Sequence, residues 1–489
     1  MNVFRPAGIA LLVLLSWSGI AHSQEAFVGG TWTKVKAVSP SAAGHMLLLT
    51  DGSVLTINSD CSVTASWFRL VPDNTGSYVN GKWVSGGTFL PGYNPLYFAS
   101  AVLPSGQVAV IGGEYNNGCN PAVWTTLGAM YNPRTNRWSA LTAPPGWGSV
   151  GDAQSVVLPN GKFMLANCCT QQQAILTKFV PVTWAATGSG KADENNEEGW
   201  TLLPNGNLLT VDAYVNSICC PMGSETYNTA TGTWSGAGST KVNLVDPHSH
   251  ELGPGVLRPD GTVFYAGATT NNAIYNTTTG TWSSAPKFGG TLDIADGPAA
   301  LLPDGNVLLD TSPGIFHAGS KFFEWDGTAL HSVAGPPSAA LDPSYVGSML
   351  VLPTGQILFT DDSSDVEIYT PAGSACAGCA PTITSLASTL THGALNQVIK
   401  GTQFNGLSQG SAYGDDAQQA TNYPLVRITD SKGHVVYCRT HTFSTMGVGT
   451  GGKLVSAQFD IPSTIALGSA TLEVVANGIA STAVAVTID

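Results

Sequence analysis

The chain has 489 residues, of which 57 are glycine and 29 are proline, and its formal net charge is −13. This acidic excess argues against nucleic acid and anionic membranes as partners. Few charged residues combined with many glycines and prolines are typical of a turn-rich β protein.

The N-terminus has the pattern of a secretory signal. Arg5 precedes an apolar run from Ile9 to Leu15, and the small-x-small sequence Ala21-His22-Ser23 follows. We therefore expect residues 1–23 to be a signal peptide and the mature protein to be secreted, either extracellular or periplasmic. The run is shorter than the about 18 apolar residues of a membrane anchor, so we expect no membrane span.

One phrase recurs through the next part of the chain. An apolar run, a four-residue turn that ends in glycine and a second apolar run are repeated seven times, with the turn glycines at Gly52, Gly106, Gly161, Gly206, Gly261, Gly305 and Gly355. Five copies read Leu-Pro-x-Gly, the name that we use for all seven, and the turns at Gly52 and Gly261 read Leu-Thr-Asp-Gly and Arg-Pro-Asp-Gly. Glycine provides the positive φ that a tight hairpin needs. Hairpins spaced 44 to 55 residues apart predict a seven-bladed kelch-type β-propeller.

A second hairpin follows the first in several repeats. It reads Tyr131 to Trp138, Tyr227 to Trp234 and Tyr275 to Trp282, and two hairpins make a four-stranded blade. The seventh repeat ends at Pro371 without its Gly-Thr-Trp, whereas Gly30-Thr31-Trp32 stands alone near the N-terminus. We predict that this N-terminal strand completes blade seven, because an open ring would expose two sheet edges.

Nine cysteines lie in the mature chain, where export favours disulfides. We expect the pairs Cys168-Cys169 and Cys219-Cys220 to tie neighbouring blades or to form vicinal rings, with soft-metal binding as the alternative. Cys376 and Cys379 are expected to form a local staple. Asn276 begins a glycosylation sequon whose use depends on the host.

The composition changes after the seventh repeat. Residues 24–372 form the predicted propeller, residues 373–380 have the small side chains of a linker, and short alternating strands begin at Pro381. About 110 residues of this kind are typical of an immunoglobulin-like β-sandwich, which we place at 381–489. We expect an all-β monomer with two domains.

This combination resembles the galactose oxidase and glyoxal oxidase group over nearly the whole mature chain. The stretch from Tyr345 to Gly355 is similar to that family's seventh blade. The stretch from Gly410 to Asp416 is similar to the sandwich loop that carries its second copper histidine. The resemblance implies a sandwich of the early-set type and a copper site of two tyrosines and two histidines, with one tyrosine cross-linked to a cysteine.

Most positions of that copper site have changed in this chain. Tyr97 stands at the position of the cross-linking cysteine and Asp152 at that of the cross-linked tyrosine. Val346 and Gly414 stand at the two histidine positions, and Tyr345 alone is retained. We therefore expect no tightly bound copper and no peroxide production from galactose or glyoxal.

Three carboxylates share one offset within the repeats. Nine residues before the turn glycines are Ala43, Tyr97, Asp152, Glu197, Leu252, Asp296 and Val346. Equivalent offsets face one axis, so we predict a solvent-connected pocket lined by Asp152, Glu197 and Asp296 as catalytic candidates. Tyr97, Glu198, Glu251 and Tyr345 are the ligand-binding candidates.

Three interpretations of these carboxylates stay open. They form a general acid/base pair acting on a sugar, they hold a hard divalent cation such as Ca²⁺, or they are solvated charges around a water-filled channel. A separate candidate is His248-Ser-His250, because an H-x-H on a strand places both rings on one face as metal ligands.

Three functions follow from these sites. The first is a copper-free relative of galactose oxidase that binds or processes extracellular carbohydrate, or another small ligand, at an acidic propeller mouth. The second is an oxidase of alcohols or aldehydes with a rearranged metal site that uses His248, His250 and Tyr345. The third is a non-enzymatic extracellular interaction module.

Overall fold

The computed structural model describes residues 27–61, 65–215, 218–415 and 419–489, so the predicted signal peptide at 1–23 lies outside the described residues. The described residues form strands and one 3-10 turn, Ser344–Val346, which confirms the all-β class. Within these ranges, no helix has the length and hydropathy needed to cross a bilayer.

Seven antiparallel sheets follow one another between residues 31 and 370, each with four strands from this part of the chain. Sheet 1 comprises Ala43–Leu48, Val54–Asn58, Trp67–Val71 and Lys82–Ser85; sheet 2 comprises Ala99–Val102, Val108–Ile111, Gly128–Asn132 and Arg137–Ala140; sheet 3 comprises Ser155–Val157, Phe163–Ala166, Gln173–Phe179 and Val182–Thr187; sheet 4 comprises Thr201–Leu202, Leu208–Val211, Ser224–Asn228 and Thr233–Gly236. Sheet 5 comprises Gly255–Leu257, Thr262–Ala266, Asn272–Asn276 and Thr281–Ala285; sheet 6 comprises Ala299–Leu301, Val307–Thr311, Lys321–Trp325 and Leu330–Val333; sheet 7 comprises Ser348–Val351, Ile357–Thr360, Glu367–Thr370 and Thr31–Lys34. Two short ribbons pair Pro95–Leu96 with Tyr115–Asn116 and Tyr214–Val215 with Ile218–Cys219.

The repeated Leu-Pro-x-Gly phrase forms the hairpin between the first and second strand of every sheet. In each copy the glycine N–H donates to the carbonyl three residues earlier at 2.8 to 3.0 Å. The seven glycines have φ between +76° and +93°, the region in which a side chain is disfavoured. The predicted hairpin is therefore confirmed at all seven copies.

The sheets are arranged in a ring. First strands of neighbouring sheets lie side by side, and sheet 7 returns to sheet 1; this radial arrangement is that of a β-propeller. A fourth-strand tryptophan links most sheets to the preceding one through its indole N–H. These bonds are Trp83 to Ala37, Trp138 to Gly86, Trp184 to Thr142, Trp234 to Gln173, Trp282 to Ser224 and Trp32 to Ala334. The repeated tryptophan therefore connects neighbouring sheets by hydrogen bonds.

The N-terminal strand closes the ring, as predicted. Thr31 pairs with Thr370 and Trp32 with Tyr369, which makes this strand the outer strand of sheet 7. The Trp32 ring packs against Phe322, Phe359 and Tyr369 with centroid distances of 5.2, 5.6 and 4.9 Å.

The C-terminal part folds as two sheets that share one apolar core. One sheet comprises Thr382–Ser385, Gln397–Thr402, Val455–Phe459 and Thr440–His441; the other comprises Thr389–Leu390, Val484–Ile488, Gly468–Ala476, Leu425–Thr429 and Val435–Cys438, with Ile479–Ala480 paired to Gly468–Ala476. This unit lies on the end of the ring that carries the repeated turns. Thr442 N–H donates to Pro104 O at 2.6 Å, and Met446 N–H donates to Pro159 O at 3.0 Å.

A segment of the C-terminal part, residues 405–423, runs along the first strands of the ring; we call it the central segment. Ser411–Ala412 pairs with Ala299–Leu301 as a fifth strand of sheet 6. Gln409 Oε1 accepts a bond of 2.7 Å from Leu202 N–H in sheet 4, and the Tyr423 hydroxyl donates to Leu48 O in sheet 1. The described part of the segment is mostly buried. The described part of the segment therefore lies inside the ring along its first strands. The interpretation of the carboxylates as solvated charges around a water-filled channel stays open.

The disulfides match the sequence in part. Cys376 and Cys379 form the predicted staple, and Cys219 and Cys220 form a vicinal disulfide. Cys61 and Cys119 link the loops of sheets 1 and 2. Cys168 and Cys169 remain thiols, as does the buried Cys438, so neither vicinal pair ties neighbouring sheets together.

Replacing Trp32 by alanine should lower the free energy of unfolding by about 2–3 kcal/mol, less than the about 3–5 kcal/mol of a fully buried ring because Trp32 is partly exposed. Thr33→Ala, on an exposed position of the same strand, is the control and should change stability by no more than about 0.5 kcal/mol. Urea unfolding of both variants measures the difference. Equal effects would show that ring closure does not depend on this indole.

Candidate functional site

A pocket of about 310 Å³ lies at the end of the ring opposite the repeated turns. Six carboxylates line it: Glu114, Asp152, Glu197, Glu251, Asp296 and Asp415. Five aromatic rings complete the wall: Tyr97, Tyr115, Phe316, Tyr345 and Tyr413. We call this cavity the acidic pocket. The structure thus brings together the three carboxylates expected at the mouth, with Tyr97, Glu251 and Tyr345.

The repeated offset explains how different sheets aim side chains at one point. Tyr97, Glu197 and Asp296 each stand nine residues before a turn glycine, and their φ angles are +49°, +54° and +44°. Residues other than glycine rarely adopt this left-handed conformation, which costs about 1–3 kcal/mol per residue. In sheet 3 the equivalent residue is Asp152, and Gly151 before it takes the positive φ, +70°. This backbone turn precedes the first strand of sheets 2, 3, 4 and 6 and faces the acidic pocket.

The central segment brings two further residues, Tyr413 and Asp415, to the pocket. The Tyr413 hydroxyl donates to Tyr345 O at 2.5 Å, which fixes the tip of the segment beside the 3-10 turn. Between these two residues lies Gly414, where an added Cβ would stand 2.0 Å from Asp296 Oδ1. The position that the sequence analysis matched to a copper histidine therefore has no room for a side chain here.

The carboxylates form two sets that share Glu197. Single oxygens of Glu197, Glu251 and Asp296 all lie within 4.8 Å of one another, and so do those of Asp152, Glu197 and Asp415. Among the described residues that line the pocket, none is basic. The described lining therefore offers no basic side chain as a counter-charge to Glu197, Glu251 and Asp296.

Burial and mutual repulsion raise the pKa values of these acids. Burial raises the pKa of Glu197 well above its usual range, with Asp415 and Asp296 adding to the effect. The pKa of Glu251 is raised by burial and then by Asp296 and Glu197, and that of Asp296 by burial and then by Asp415. Burial, together with Glu114, raises the pKa of Tyr115 to about 12. The pocket therefore favours protons or a cation.

Glu198 does not belong to the acidic pocket, which corrects its place among the ligand-binding candidates. Neither Glu197 nor Glu198 lies in a strand. The Glu198 side chain is buried outside the pocket lining, where it accepts bonds from Gln154 at 3.0 Å, Lys191 at 3.0 Å and Thr210 at 2.9 Å. Lys191 Nζ also contacts Asp193 and, at 2.9 Å, Glu225. Glu198 is thus part of a buried structural network in which Lys191 contacts three carboxylates.

His248 and His250 are not brought to the pocket. The prediction assumed a strand, but residues 246–250 form a turn in which the Asp246 carboxylate accepts the N–H groups of His248 and Ser249 at 2.8 and 2.7 Å. The turn leaves the His248 side chain 91% exposed, whereas His250 packs on Tyr214 with a centroid distance of 4.7 Å. Only Glu251, at the end of this stretch, reaches the pocket.

The sequence prediction missed Glu114, Tyr115, Phe316, Tyr413 and Asp415. Glu114 and Tyr115 lie at the short ribbon that pairs Tyr115–Asn116 with Pro95–Leu96, beside Tyr97. Asp415 lies one residue after the position matched to a copper histidine. Its position in the sequence, next to a copper-site position, could have predicted Asp415 as a pocket residue. No repeat predicted Phe316.

The acidic pocket does not fit the copper site of the family that the sequence resembles. Its described lining offers carboxylate and phenol oxygens, without imidazole or thiolate, and these hard oxygen donors suit Mg²⁺, Ca²⁺ or Mn²⁺. Val346, at the other histidine position, lines a smaller neighbouring cavity beside His45 and Asp362.

No protein-family model matches the chain, and no curated protein matches it. Among solved structures, the chain is similar to a streptogramin B lyase at 11% identity and a TM-score of 0.47, over 70% of this chain and 98% of that one. It is also similar to virginiamycin B lyase from Staphylococcus aureus, at 10% identity and a TM-score of 0.45, over 70% of this chain and 99% of that one. A catalytically inactive variant of that lyase with quinupristin gives 9% identity and a TM-score of 0.48, with the same coverage. Similarity at this level assigns no activity to the chain.

Replacing Lys191 by methionine should destabilise the protein by about 3–5 kcal/mol, because it leaves Glu198, Asp193 and Glu225 buried without their counter-charge. The measurement is the free energy of unfolding at neutral pH. Adding Glu198→Gln to Lys191→Met removes one of the buried carboxylates left without a counter-charge. The double variant should therefore regain part of the lost stability. A double variant no more stable than Lys191→Met would contradict this account.

After treatment with chelator, the free energy of unfolding should fall with rising pH because of Glu251. Its raised pKa means that the folded protein keeps a proton that the unfolded chain loses near the ordinary value of 4.5. The resulting stability is complete below that pH and is lost as the pH rises through the folded pKa. The wild type and the Glu251→Gln variant share the other acids that face this group, which are Glu114, Asp152, Glu197, Asp296 and Asp415. Relative to wild type, Glu251→Gln should therefore gain at least about 1 kcal/mol between about pH 5 and pH 8; a constant difference would contradict the burial of this charge.

Proposed function

We propose that the chain is a secreted, copper-free relative of galactose oxidase that binds extracellular carbohydrate in the acidic pocket. In this proposal the ring is a seven-bladed kelch-type propeller and the C-terminal unit is an immunoglobulin-like sandwich. The seven repeated turns, the closing N-terminal strand and the central segment that reaches the mouth support it.

The observation that carries the proposal is the convergence of six carboxylates and four tyrosines in one pocket. Tyr97, Asp152 and Tyr345, which match copper-site positions of the related family, all line it. Carboxylates accept hydrogen bonds from sugar hydroxyls, and tyrosine rings offer apolar faces to C–H groups while their hydroxyls stay polar. A volume of about 310 Å³ lies at the lower end of small-molecule sites and suits a single sugar unit.

Glycoside hydrolysis is a second candidate function, favoured by the contacts of Glu251. This carboxyl, with its raised pKa, has an oxygen within 4.8 Å of oxygens of Glu197 and Asp296. Retaining glycosidases pair a protonated and an ionised carboxyl group about 5 Å apart. In such a reaction the protonated group gives its proton to the departing oxygen and the ionised one attacks the sugar carbon, after which water releases the product.

A carbohydrate array followed by calorimetry with the best ligand tests the proposal. Glu197→Gln keeps the shape of the pocket and removes a charge, so its affinity should fall at least about tenfold, or about 1.4 kcal/mol. Tyr345→Ala, which removes a ring and no charge, should weaken binding by a similar factor. Asp260→Asn, on an exposed turn at the other end of the ring, is the control and should bind like wild type.

Release of reducing ends from the bound glycan decides between binding and hydrolysis. Binding without release supports a binding module, and release that Glu251→Gln abolishes supports hydrolysis. Absence of binding to every glycan on the array, with the variants folded, would contradict the proposed function.

A further inference from the structure

Two acidic clusters among the described residues differ in the basic side chains beside them. Asp193, Asp212 and Glu225 offer oxygens within 4.8 Å of one another, as the pocket carboxylates do. Lys191 Nζ lies in that cluster, in contact with Asp193 and 2.9 Å from Glu225. The acidic pocket holds the larger number of carboxylates, yet its described lining includes no lysine, arginine or histidine. Lys191 places a positive charge in the first cluster, whereas no basic side chain is among the described residues that line the second.

A second observation concerns individual oxygen atoms. Glu251 is only 8% exposed, it lines the pocket, and its Oε2 is buried without a hydrogen-bond partner. Asp296 Oδ1 is in the same situation. A buried carboxylate oxygen normally receives hydrogen bonds, because leaving it without a donor costs about 1–3 kcal/mol or more. Both atoms belong to the set of Glu197, Glu251 and Asp296, and the described lining of the pocket places no basic side chain beside it.

We propose that the acidic pocket binds one hard divalent cation of the Ca²⁺ class through Glu197, Glu251 and Asp296. Oxygen ligands alone suit Ca²⁺, which accepts six to eight of them in flexible geometry. Transition metals that prefer imidazole or thiolate find neither among the described lining residues. Asp415 and Asp152 form a second set with Glu197, and they add negative charge without belonging to this set of three.

The cation also defines how a ligand would be held, a step that rests on the proposed function. Three carboxylates provide at most six oxygens, and fewer when they bind through one oxygen each, so positions on the metal remain open towards the cavity. Two neighbouring hydroxyls of a sugar are neutral oxygen donors with the spacing to fill them. Carbohydrate binding should therefore require the cation, and the ligand class is a sugar with a free vicinal diol.

The test begins with the metal alone. Calcium chloride is titrated into the full-length protein after treatment with chelator, and heat is recorded by calorimetry. We expect one site with a Kd of about 10⁻⁴ to 10⁻³ M, the range of extracellular Ca²⁺ modules. Because Tyr97, Tyr115, Tyr345 and Tyr413 line the pocket, Tb³⁺ should give tyrosine-sensitised emission that Ca²⁺ suppresses by competition.

The variants separate the cation site from the sugar site. Glu251→Gln and Glu197→Gln should each weaken Ca²⁺ binding at least about tenfold. Asp310→Asn neutralises a buried carboxylate outside the pocket and should leave Ca²⁺ binding unchanged. Tyr345→Ala should keep Ca²⁺ binding while losing sugar affinity. Circular dichroism confirms that each variant is folded.

The outcomes point in different directions. No heat, no Tb³⁺ emission and no thermal shift with calcium would overturn the cation site, as would a folded Glu251→Gln variant that binds Ca²⁺ like wild type. Sugar binding in excess chelator would overturn the link between cation and ligand while leaving the proposed function intact. Calcium binding without binding of any glycan would support the cation site and contradict the carbohydrate function.

Discussion

The pairing of the central segment with the first strand of sheet 6 holds the two parts of the molecule in one arrangement. Ala412 pairs with Ala299 in the middle of the ring, although the rest of the C-terminal unit lies at the end that carries the repeated turns. Because the segment crosses the ring, Asp415 and Tyr413 face residues of the opposite mouth. The acidic pocket is therefore completed by a part of the chain that folds in another unit.

Local repetition made much of the ring predictable. The turn glycines, the missing strand of sheet 7 and the offset that unites Glu197 with Asp296 all follow from copies of one phrase, because each copy meets the same steric requirements. Contacts outside the repeat were beyond such reasoning. Asp415 reaches the pocket only through the central segment, and His248 turns away because the Asp246 carboxylate caps a local turn, a competition that the H-x-H spacing does not reveal.

The fate of neighbouring acids shows what decides between structure and function in a buried carboxylate. Glu197 and Glu198 are adjacent in sequence, yet Glu198 receives bonds from Gln154, Lys191 and Thr210, whereas Glu197 faces Asp415 and Asp296. Both residues lie in the turn before the first strand of sheet 4, where Glu197 has a left-handed backbone conformation. Glu198 receives its hydrogen bonds from within the protein. Glu197 requires a proton or a ligand from outside, which is the condition for a binding site.

The N-terminal strand that closes sheet 7 also affects how the protein folds. Gly30 bonds to Tyr369, 339 positions away, so the ring cannot close until almost all of its residues have been synthesised. Domains dominated by such distant contacts fold slowly, and an unpaired strand edge invites association with other chains in the meantime. The waiting strand is short and exposes Thr31, Thr33 and Lys34, features that disfavour pairing with the wrong partner. Its composition thus protects the nascent chain during the interval before the two ends of the ring meet.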